Sequence, residues 1–147
     1  MGIKTRRFIW MDGKFVKWKD ANVHILTHSL HYGSAAFEGI HSYKTDDGVA
    51  IFRLNEHIKR LFHSANAMGL NIKFTKDELK NTITKLIKIN NLSDAYIRPL
   101  VYYGYGNIGV YPGDNPTNVS IIAVPWKHYY SKDLRVMTSK YIRHSEK

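Results

Sequence analysis

The spacing of apolar residues changes twice along the chain, and this change constrains the fold more than any other feature. Before residue 53 and after residue 94, apolar residues lie in short strand-like runs, whereas two segments between them repeat at helical spacing. An Asp12-Gly13 pair separates the first two runs, as in a tight hairpin. The longest runs, Ala95–Tyr103 and residues 119–126, are rich in β-branched and aromatic residues. The sequence therefore predicts an α+β fold, a mostly antiparallel sheet flanked by helices.

Local signals predict the remaining elements. Residues 39–44 and 49–52 flank a polar turn and predict a second hairpin. Asn55 is the predicted cap of a helix that ends at Gly69. A capping-box pattern, TKDE at residues 75–78, opens the second helix. Residues 134–139 predict a further strand.

Composition limits the classes of protein to which the chain can belong. Its 147 residues form one domain, or one domain and part of a second. The absence of cysteine excludes disulfide frameworks, thiolate metal sites and cysteine nucleophiles. No apolar run reaches the about 20 residues of a transmembrane helix, so we expect a cytoplasmic protein with no membrane partner. The net charge of +10 favours an anionic ligand, but the lysines form no block, and we expect no nucleic acid partner.

A few cationic side chains are candidates for chemistry. Arg98 lies within an apolar run, where a guanidinium suits a bound carboxylate or phosphate, a structural ion pair, or an exposed sheet face. Arg60, on a predicted helix, suits either a bound phosphate or the solvated surface. His24, His28 and His31 share one face only if their segment is helical. We interpret them as hydrogen-bonded histidines and predict no metal site.

Six segments together resemble the N-terminal half of the branched-chain amino acid aminotransferases, which are pyridoxal-phosphate enzymes of fold type IV. The resemblance runs over essentially the whole chain, and the order and spacing of the segments are specific to the class. The segments are FIWMDG at residues 8–13, HILTHSLHYGSAAFEGI at 24–40, Arg53 with EHIKR at 56–60, AYIRPL at 95–100, GNIGV at 106–110 and AVPW at 123–126.

This resemblance implies a fold, a reaction and a cofactor. The fold would be the small N-terminal domain of a fold type IV enzyme, ending at the interdomain segment. The reaction would be transamination of Leu, Ile or Val with 2-oxoglutarate, so that the partners are amino acid and 2-oxo acid substrates. The cofactor would be pyridoxal 5′-phosphate, and the active form a homo-oligomer, a dimer or a multiple of dimers.

The resemblance also implies roles for individual residues. Arg60 would hold the cofactor phosphate, Tyr96 would help to seat the substrate α-carboxylate, and Arg98 would receive the distal carboxylate of glutamate or 2-oxoglutarate. Other positions resemble substrate-site residues, some of them contributed by the neighbouring subunit. Phe37 and Tyr129 resemble walls of the pocket that takes an aliphatic side chain, and Trp126 is a further substrate-site position. Those from the neighbouring subunit are Tyr32, Ile108 and Val110.

Two features depart from the family pattern. The Schiff-base lysine of the family would follow Lys147, so no catalytic residue is assigned here, and we expect the isolated chain to lack transaminase activity. We accordingly assign residues 1–127 to a small N-terminal domain and residues 128–147 to a linker and the start of a C-terminal domain. His41 stands where many relatives have arginine, after Gly39 and Ile40.

Several alternatives stay open at the level of sequence. D-amino acid aminotransferase and aminodeoxychorismate lyase share fold type IV with the branched-chain enzymes. A basic nucleic-acid-binding module would bind with an affinity that falls steeply with salt. A non-catalytic partner subunit would complete a site on another chain and would co-purify with it.

Overall fold

The computed structural model describes residues 7–126 and 135–140, which contain seven strands and three α-helices. Of these elements, α1 and β3 are additional to those that the sequence predicts. The elements in chain order are β1 (Phe8–Met11), β2 (Lys14–Lys17), a 3-10 turn (Trp18–Asp20), α1 (His28–Tyr32), β3 (Ala35–Phe37), β4 (Ile40–Thr45), β5 (Gly48–Ile51), α2 (Leu54–Ala67), α3 (Lys76–Ile89), β6 (Ala95–Tyr103) and β7 (Thr117–Pro125).

The strands form one antiparallel sheet in the order β2-β1-β7-β6-β4-β5. Strand β6 is paired with β7 along its whole length. On its other edge it pairs with both β3 and β4, which lie end to end, with Ala36 opposite Val101 and Ile40 opposite Ile97. Only Glu38 and Gly39 separate β3 from β4. The predicted α+β fold, a mostly antiparallel sheet flanked by helices, is confirmed.

Alternation along β6 separates a covered face of the sheet from an open one. Ile97 and Val101 are fully buried beneath the helices, whereas Tyr96 and Arg98 project from the opposite face and are half-buried. Two amphipathic helices cover the buried face. Their buried residues are Ile58, Leu61 and Ala65 of α2 and Leu79, Ile83, Leu86 and Ile87 of α3.

The open face carries an apolar groove of about 300 Å³. Its lining includes Met11 of β1, Leu100 and Tyr102 of β6, and Ile122 of β7. Leu100 is two residues from Arg98 on the same strand face, so the groove adjoins the region that holds the predicted site residues.

Helix α3 begins with the predicted capping box. The Glu78 amide donates to the Thr75 hydroxyl over 3.1 Å, and the Thr75 amide donates to the Glu78 carboxylate over 2.6 Å. This reciprocal pair satisfies two amides that would otherwise lack partners at the helix start. The hydrogen bonds from Thr75, its backbone amide first, lower the pKa of Glu78.

Two local predictions are wrong. Helix α2 is capped by Arg53 and not by Asn55, because Arg53 takes a left-handed conformation (φ 45°) that turns the chain from β5 into the helix. Residues 135–139 form no strand in the part of the chain that the structure describes. No helix within the described ranges is long and apolar enough to cross a membrane.

Candidate active site

Arg98 stands on the open sheet face between two aromatic side chains. Its guanidinium carbon lies 4.3 Å from the centre of the Phe37 ring and 5.2 Å from the centre of the Tyr96 ring. Its Nε and Nη2 atoms donate to the Tyr96 hydroxyl over 3.0 and 2.6 Å. Among the described residues, Arg98 forms no ion pair with a carboxylate. Neutral groups therefore hold this charge in place without cancelling it.

The Tyr96 hydroxyl is arranged to donate a hydrogen bond. Its oxygen accepts both bonds from Arg98, and a hydroxyl has only two lone pairs and one proton. The O–H is therefore left to donate, which suits an oxygen of a bound acid. The His41 and Trp126 rings lie with their centres 5.5 and 5.7 Å from that of Tyr96 and fix its ring from two sides.

Gly39 leaves the space that the Tyr96 hydroxyl occupies. A Cβ atom at this position would lie 2.8 Å from the hydroxyl oxygen and 3.2 Å from a ring carbon of Tyr96. The φ angle of Gly39 is not in the left-handed region, so the backbone conformation does not itself require glycine. Glycine is required because a side chain here would collide with the Tyr96 phenol. Any larger residue would displace the phenol from Arg98.

A second polar cluster joins the β3–β4 connection to α2. Glu38 is only 4% exposed and accepts from Arg60 Nε over 2.5 Å and from Arg60 Nη2 over 2.6 Å. His57 Nδ1 lies 2.8 Å from the same carboxylate and donates a third hydrogen bond. Burial alone would raise the pKa of Glu38, but the bonds from Arg60 and then His57 outweigh it and hold that pKa below its ordinary value. Glu38 is accordingly ionised, and it raises the pKa of Arg60.

Arg60 presents the rest of its guanidinium to solvent. Its side chain is 65% exposed, although its partner is buried. Arginine carries five N–H donors; Nε and Nη2 bond to Glu38, and Nη2 also lies 3.4 Å from His57 Nδ1, so the two donors of Nη1 are left for another acceptor. The structure places Arg60 at the surface in an ion pair with Glu38, and its binding of a phosphate stays a prediction.

Three successive residues connect the two clusters. Phe37 stacks on Arg98, Glu38 binds Arg60, and Gly39 makes room for Tyr96. Because side chains alternate between the faces of an extended chain, Phe37 and Gly39 serve the open face while Glu38 points towards α2. This segment therefore sets the positions of both arginines.

The residues predicted to serve a neighbouring subunit lie together at the other end of β6. Tyr32 donates through its hydroxyl to the Ile108 carbonyl over 2.8 Å, and Val110 is 80% exposed. They lie beyond Tyr103, and a strand that rises about 3.3 Å per residue puts Tyr103 about 23 Å from Tyr96. They are therefore grouped apart from Phe37, Tyr96 and Arg98.

A buried histidine anchors the loop that carries Ile108 and Val110. His28 Nε2 lies 2.9 Å from the Gly109 carbonyl, and Nδ1 lies 3.1 Å from the Ser34 hydroxyl. A carbonyl only accepts, so Nε2 donates to Gly109, while the Ser34 hydroxyl can either donate to or accept from Nδ1. His24 and His31 are exposed and bond to nearby backbone. No group of three potential metal ligands occurs among the described residues.

The predicted site residues thus divide into three groups. One group is the cluster of Phe37, Tyr96, Arg98 and Trp126. A second comprises Tyr32, Ile108 and Val110. The third is Arg60, which is linked to the first group through Glu38. Tyr129 and the predicted boundary at residues 127–128 lie outside the described residues. The sequence reasoning missed Glu38, although an acid between Phe37 and Gly39 in an otherwise apolar segment is a signal for a buried ion pair.

Known proteins match this chain both in sequence and in fold. The family model described as Amino-transferase class IV matches residues 35–147. The branched-chain-amino-acid aminotransferase of Pseudomonas aeruginosa is 42% identical over 141 residues, which cover 92% of this chain and 46% of the relative. The enzyme of that name from Escherichia coli (strain K12) is 42% identical over 130 residues, which cover 88% of this chain and 42% of the relative.

Solved structures agree with these sequence matches. The T.th. branched-chain amino acid aminotransferase, complexed with N-(5′-phosphopyridoxyl)-L-glutamate, has a TM-score of 0.82 and 42% identity, covering 85% of this chain and 42% of that one. The Escherichia coli enzyme has a TM-score of 0.81 and 41% identity, covering 83% and 41%. The chain thus spans less than half the length of these relatives, and the resemblance to their N-terminal half is confirmed. The chain belongs to the class IV aminotransferase family.

Proposed function

We propose that this chain is part of a pyridoxal-phosphate enzyme that transfers amino groups between branched-chain L-amino acids and 2-oxoglutarate. The products are the corresponding 2-oxo acids and L-glutamate. The observation that carries the proposal is the Arg98 guanidinium, which is stacked on Phe37 and has no carboxylate partner among the described residues. The names of the relatives from Pseudomonas aeruginosa and Escherichia coli support the choice of branched-chain substrates.

An enzyme of this kind must accept an aliphatic and an acidic side chain in one pocket. Phe37 offers an apolar surface to Leu, Ile or Val, and Arg98 offers an uncancelled charge to the distal carboxylate of glutamate. Tyr96 is proposed to donate its O–H to the α-carboxylate that both substrates share. The complex of the T.th. relative with a phosphopyridoxyl glutamate supports glutamate as one substrate.

Arg60 is the residue of this chain that fits the cofactor. Its guanidinium is oriented by Glu38, is largely exposed and keeps the two donors of Nη1 for the oxygens of a phosphate monoester. When bound, pyridoxal phosphate supplies an electron sink for the carbanion formed at Cα. The contribution of Arg60 is to fix the phosphate end of this group relative to the Arg98 cluster.

The enzyme is proposed to act as a homodimer or a multiple of dimers. Tyr32, Ile108 and Val110 lie at the far end of β6 from Tyr96, which agrees with their expected contact with the pocket of a neighbouring subunit. Their exposed apolar surface and the buried His28 beneath their loop suit a rigid contact. The proposed domain boundary stays between residues 127 and 128.

A chimera tests this function. In it, the chain replaces the 42% of the Escherichia coli enzyme that it matches. We expect pyridoxal-phosphate-dependent transfer from L-leucine to 2-oxoglutarate, and no transfer from D-alanine. The same chimera with Arg98→Ala is the matched control. A folded chimera that uses D-alanine but not L-leucine would instead support another fold type IV enzyme, and salt-sensitive DNA binding without transfer would support a nucleic-acid-binding module.

A further inference from the structure

Glu38 is a buried acid that the proposed reaction does not use. It accepts three hydrogen bonds, two from Arg60 and one from His57, and it is nearly inaccessible to solvent. Burial of a lone carboxylate is unfavourable, so the cluster must form as a unit. Arg60, by contrast, belongs to an exposed helix face, where a long side chain ordinarily samples many rotamers.

We propose that Glu38 is a positioning residue, which holds the Arg60 guanidinium so that its free edge faces a phosphate monoester. This inference rests on the proposed function, because it requires that Arg60 bind the cofactor phosphate. Glu38 occupies Nε and one hydrogen of Nη2. The plane of the guanidinium is then fixed by two parallel bonds, and the donors of Nη1 remain free of partners among the described residues.

The position of Glu38 in the chain explains how this orientation is transmitted. Its amide donates to the Pro99 carbonyl of β6 over 3.1 Å, so its backbone is fixed to the central strand. Phe37, the preceding residue, packs on Arg98. The position of the Arg60 guanidinium is therefore fixed relative to β6, the strand that carries Tyr96 and Arg98, as well as to its own helix. His57 adds a donor that keeps the carboxylate in place.

The inference is tested with two ligands, one that carries a phosphate and one that lacks it but is otherwise the same. Affinities for pyridoxamine 5′-phosphate and for pyridoxamine are measured by NMR titration of the protein and of the Glu38→Gln, Arg60→Ala and Glu56→Gln variants. We expect Glu38→Gln to weaken binding of the phosphorylated ligand by about tenfold, with pyridoxamine unchanged within about twofold. Glu56→Gln is the matched control, because this exposed acid of the same helix pairs with Arg53 and not with Arg60. We expect it to change neither affinity.

The outcomes separate this inference from the proposed function. If Arg60→Ala loses phosphate selectivity and Glu38→Gln keeps it, the positioning role is wrong and the cofactor site stands. If Glu38→Gln weakens both ligands equally, Glu38 only stabilises the fold and the inference is again wrong. If the unmodified protein does not distinguish the two ligands, the proposed cofactor site fails, and the inference fails with it.

The unmodified protein provides a further measurement if Glu38→Gln does not fold. The Nε–H resonance of Arg60 reports its bond to Glu38, and the Nη resonances report the free edge. Pyridoxamine 5′-phosphate is expected to shift the Nη signals and to leave the Nε–H signal in place. A large shift of the Nε–H signal means that the ligand breaks the bond to Glu38, which would contradict the positioning role.

Discussion

The two arginines of the candidate site donate from the same pair of nitrogens to acceptors of different charge. Each donates from Nε and Nη2, Arg60 to the buried Glu38 carboxylate and Arg98 to the neutral Tyr96 hydroxyl. A carboxylate cancels one positive charge, and a phenol cancels none. Arg60 thus bonds to two carboxylate oxygens and Arg98 to a single hydroxyl oxygen, and only Arg98 keeps its full charge for a ligand.

This difference suits two ligands with different demands. In the proposed enzyme, the cofactor phosphate carries more than one negative charge and stays bound, so a partly compensated arginine is sufficient to hold it. The distal carboxylate of glutamate carries one charge and is replaced by an aliphatic side chain in the other half-reaction. An arginine that is uncompensated but stacked on Phe37 provides both charge and apolar surface to that pocket.

The largest effect is expected from removal of the uncompensated charge. In the chimeric enzyme, Arg98→Ala should lower kcat/KM for glutamate about hundredfold, which corresponds to about 3 kcal/mol, because an oriented charge partner is lost. The value for leucine should change by less than about fivefold. Separate half-reaction kinetics with the two amino acids measure this. An equal loss for both would mean that Arg98 supports the pocket and does not select the acid.

The next largest effect tests whether the Tyr96 phenol holds Arg98. Gly39→Ala places a methyl group 2.8 Å from the Tyr96 oxygen and should break the hydrogen bonds that this oxygen accepts from Arg98. We expect kcat/KM for glutamate to fall about thirtyfold, which corresponds to about 2 kcal/mol. In a Tyr96→Phe background the same substitution should have a much smaller effect, because the hydroxyl is already absent. Full additivity of the two substitutions would contradict this account of Arg98.

The pH dependence of unfolding tests how much the ion pair between Glu38 and Arg60 stabilises the fold. The pKa of Glu38 is below its ordinary value of 4.5, so the ionised acid stabilises the fold fully above about that pH, and this contribution is lost as pH falls through the lowered pKa. Denaturant unfolding from pH 6 downwards should show a decline that Glu38→Gln reduces by about 1–2 kcal/mol. The Glu56→Gln variant is the control for exposed acids. Identical pH profiles for the protein and Glu38→Gln would mean that the cluster does not stabilise the fold.

Local sequence signals were sufficient for most of the fold. The Asp12-Gly13 turn and the capping box at Thr75 depend on residues close in sequence, so the first hairpin and α3 could be predicted. The cap of α2 could not, because Arg53 takes its left-handed conformation only where β5 turns into the helix. Strand order was also beyond the sequence, since β1 pairs with β7 from the other end of the described chain.

The candidate site was predicted less completely than the fold. Arg98 stood out because a guanidinium in an apolar strand needs a partner, and the structure places it in contact with Phe37 and Tyr96, two other predicted site residues. Glu38 was missed because its pairing with Arg60 joins residues from a strand connection and a helix. Spacing within one element reveals shared faces, but it does not reveal which faces of two elements meet.

The smallest expected effect concerns the aromatic support of Arg98. Phe37→Leu keeps an apolar wall but removes the ring over which the guanidinium lies, a loss of about 0.5–1 kcal/mol. Affinity for glutamate should fall about two- to fivefold, and affinity for leucine should stay the same. The matched control is Phe62→Leu, which removes the ring beneath Lys76, remote from the Arg98 cluster. If Phe37→Leu weakens leucine as much as glutamate, Phe37 is only a pocket wall, and the Tyr96 phenol alone accounts for the orientation of Arg98.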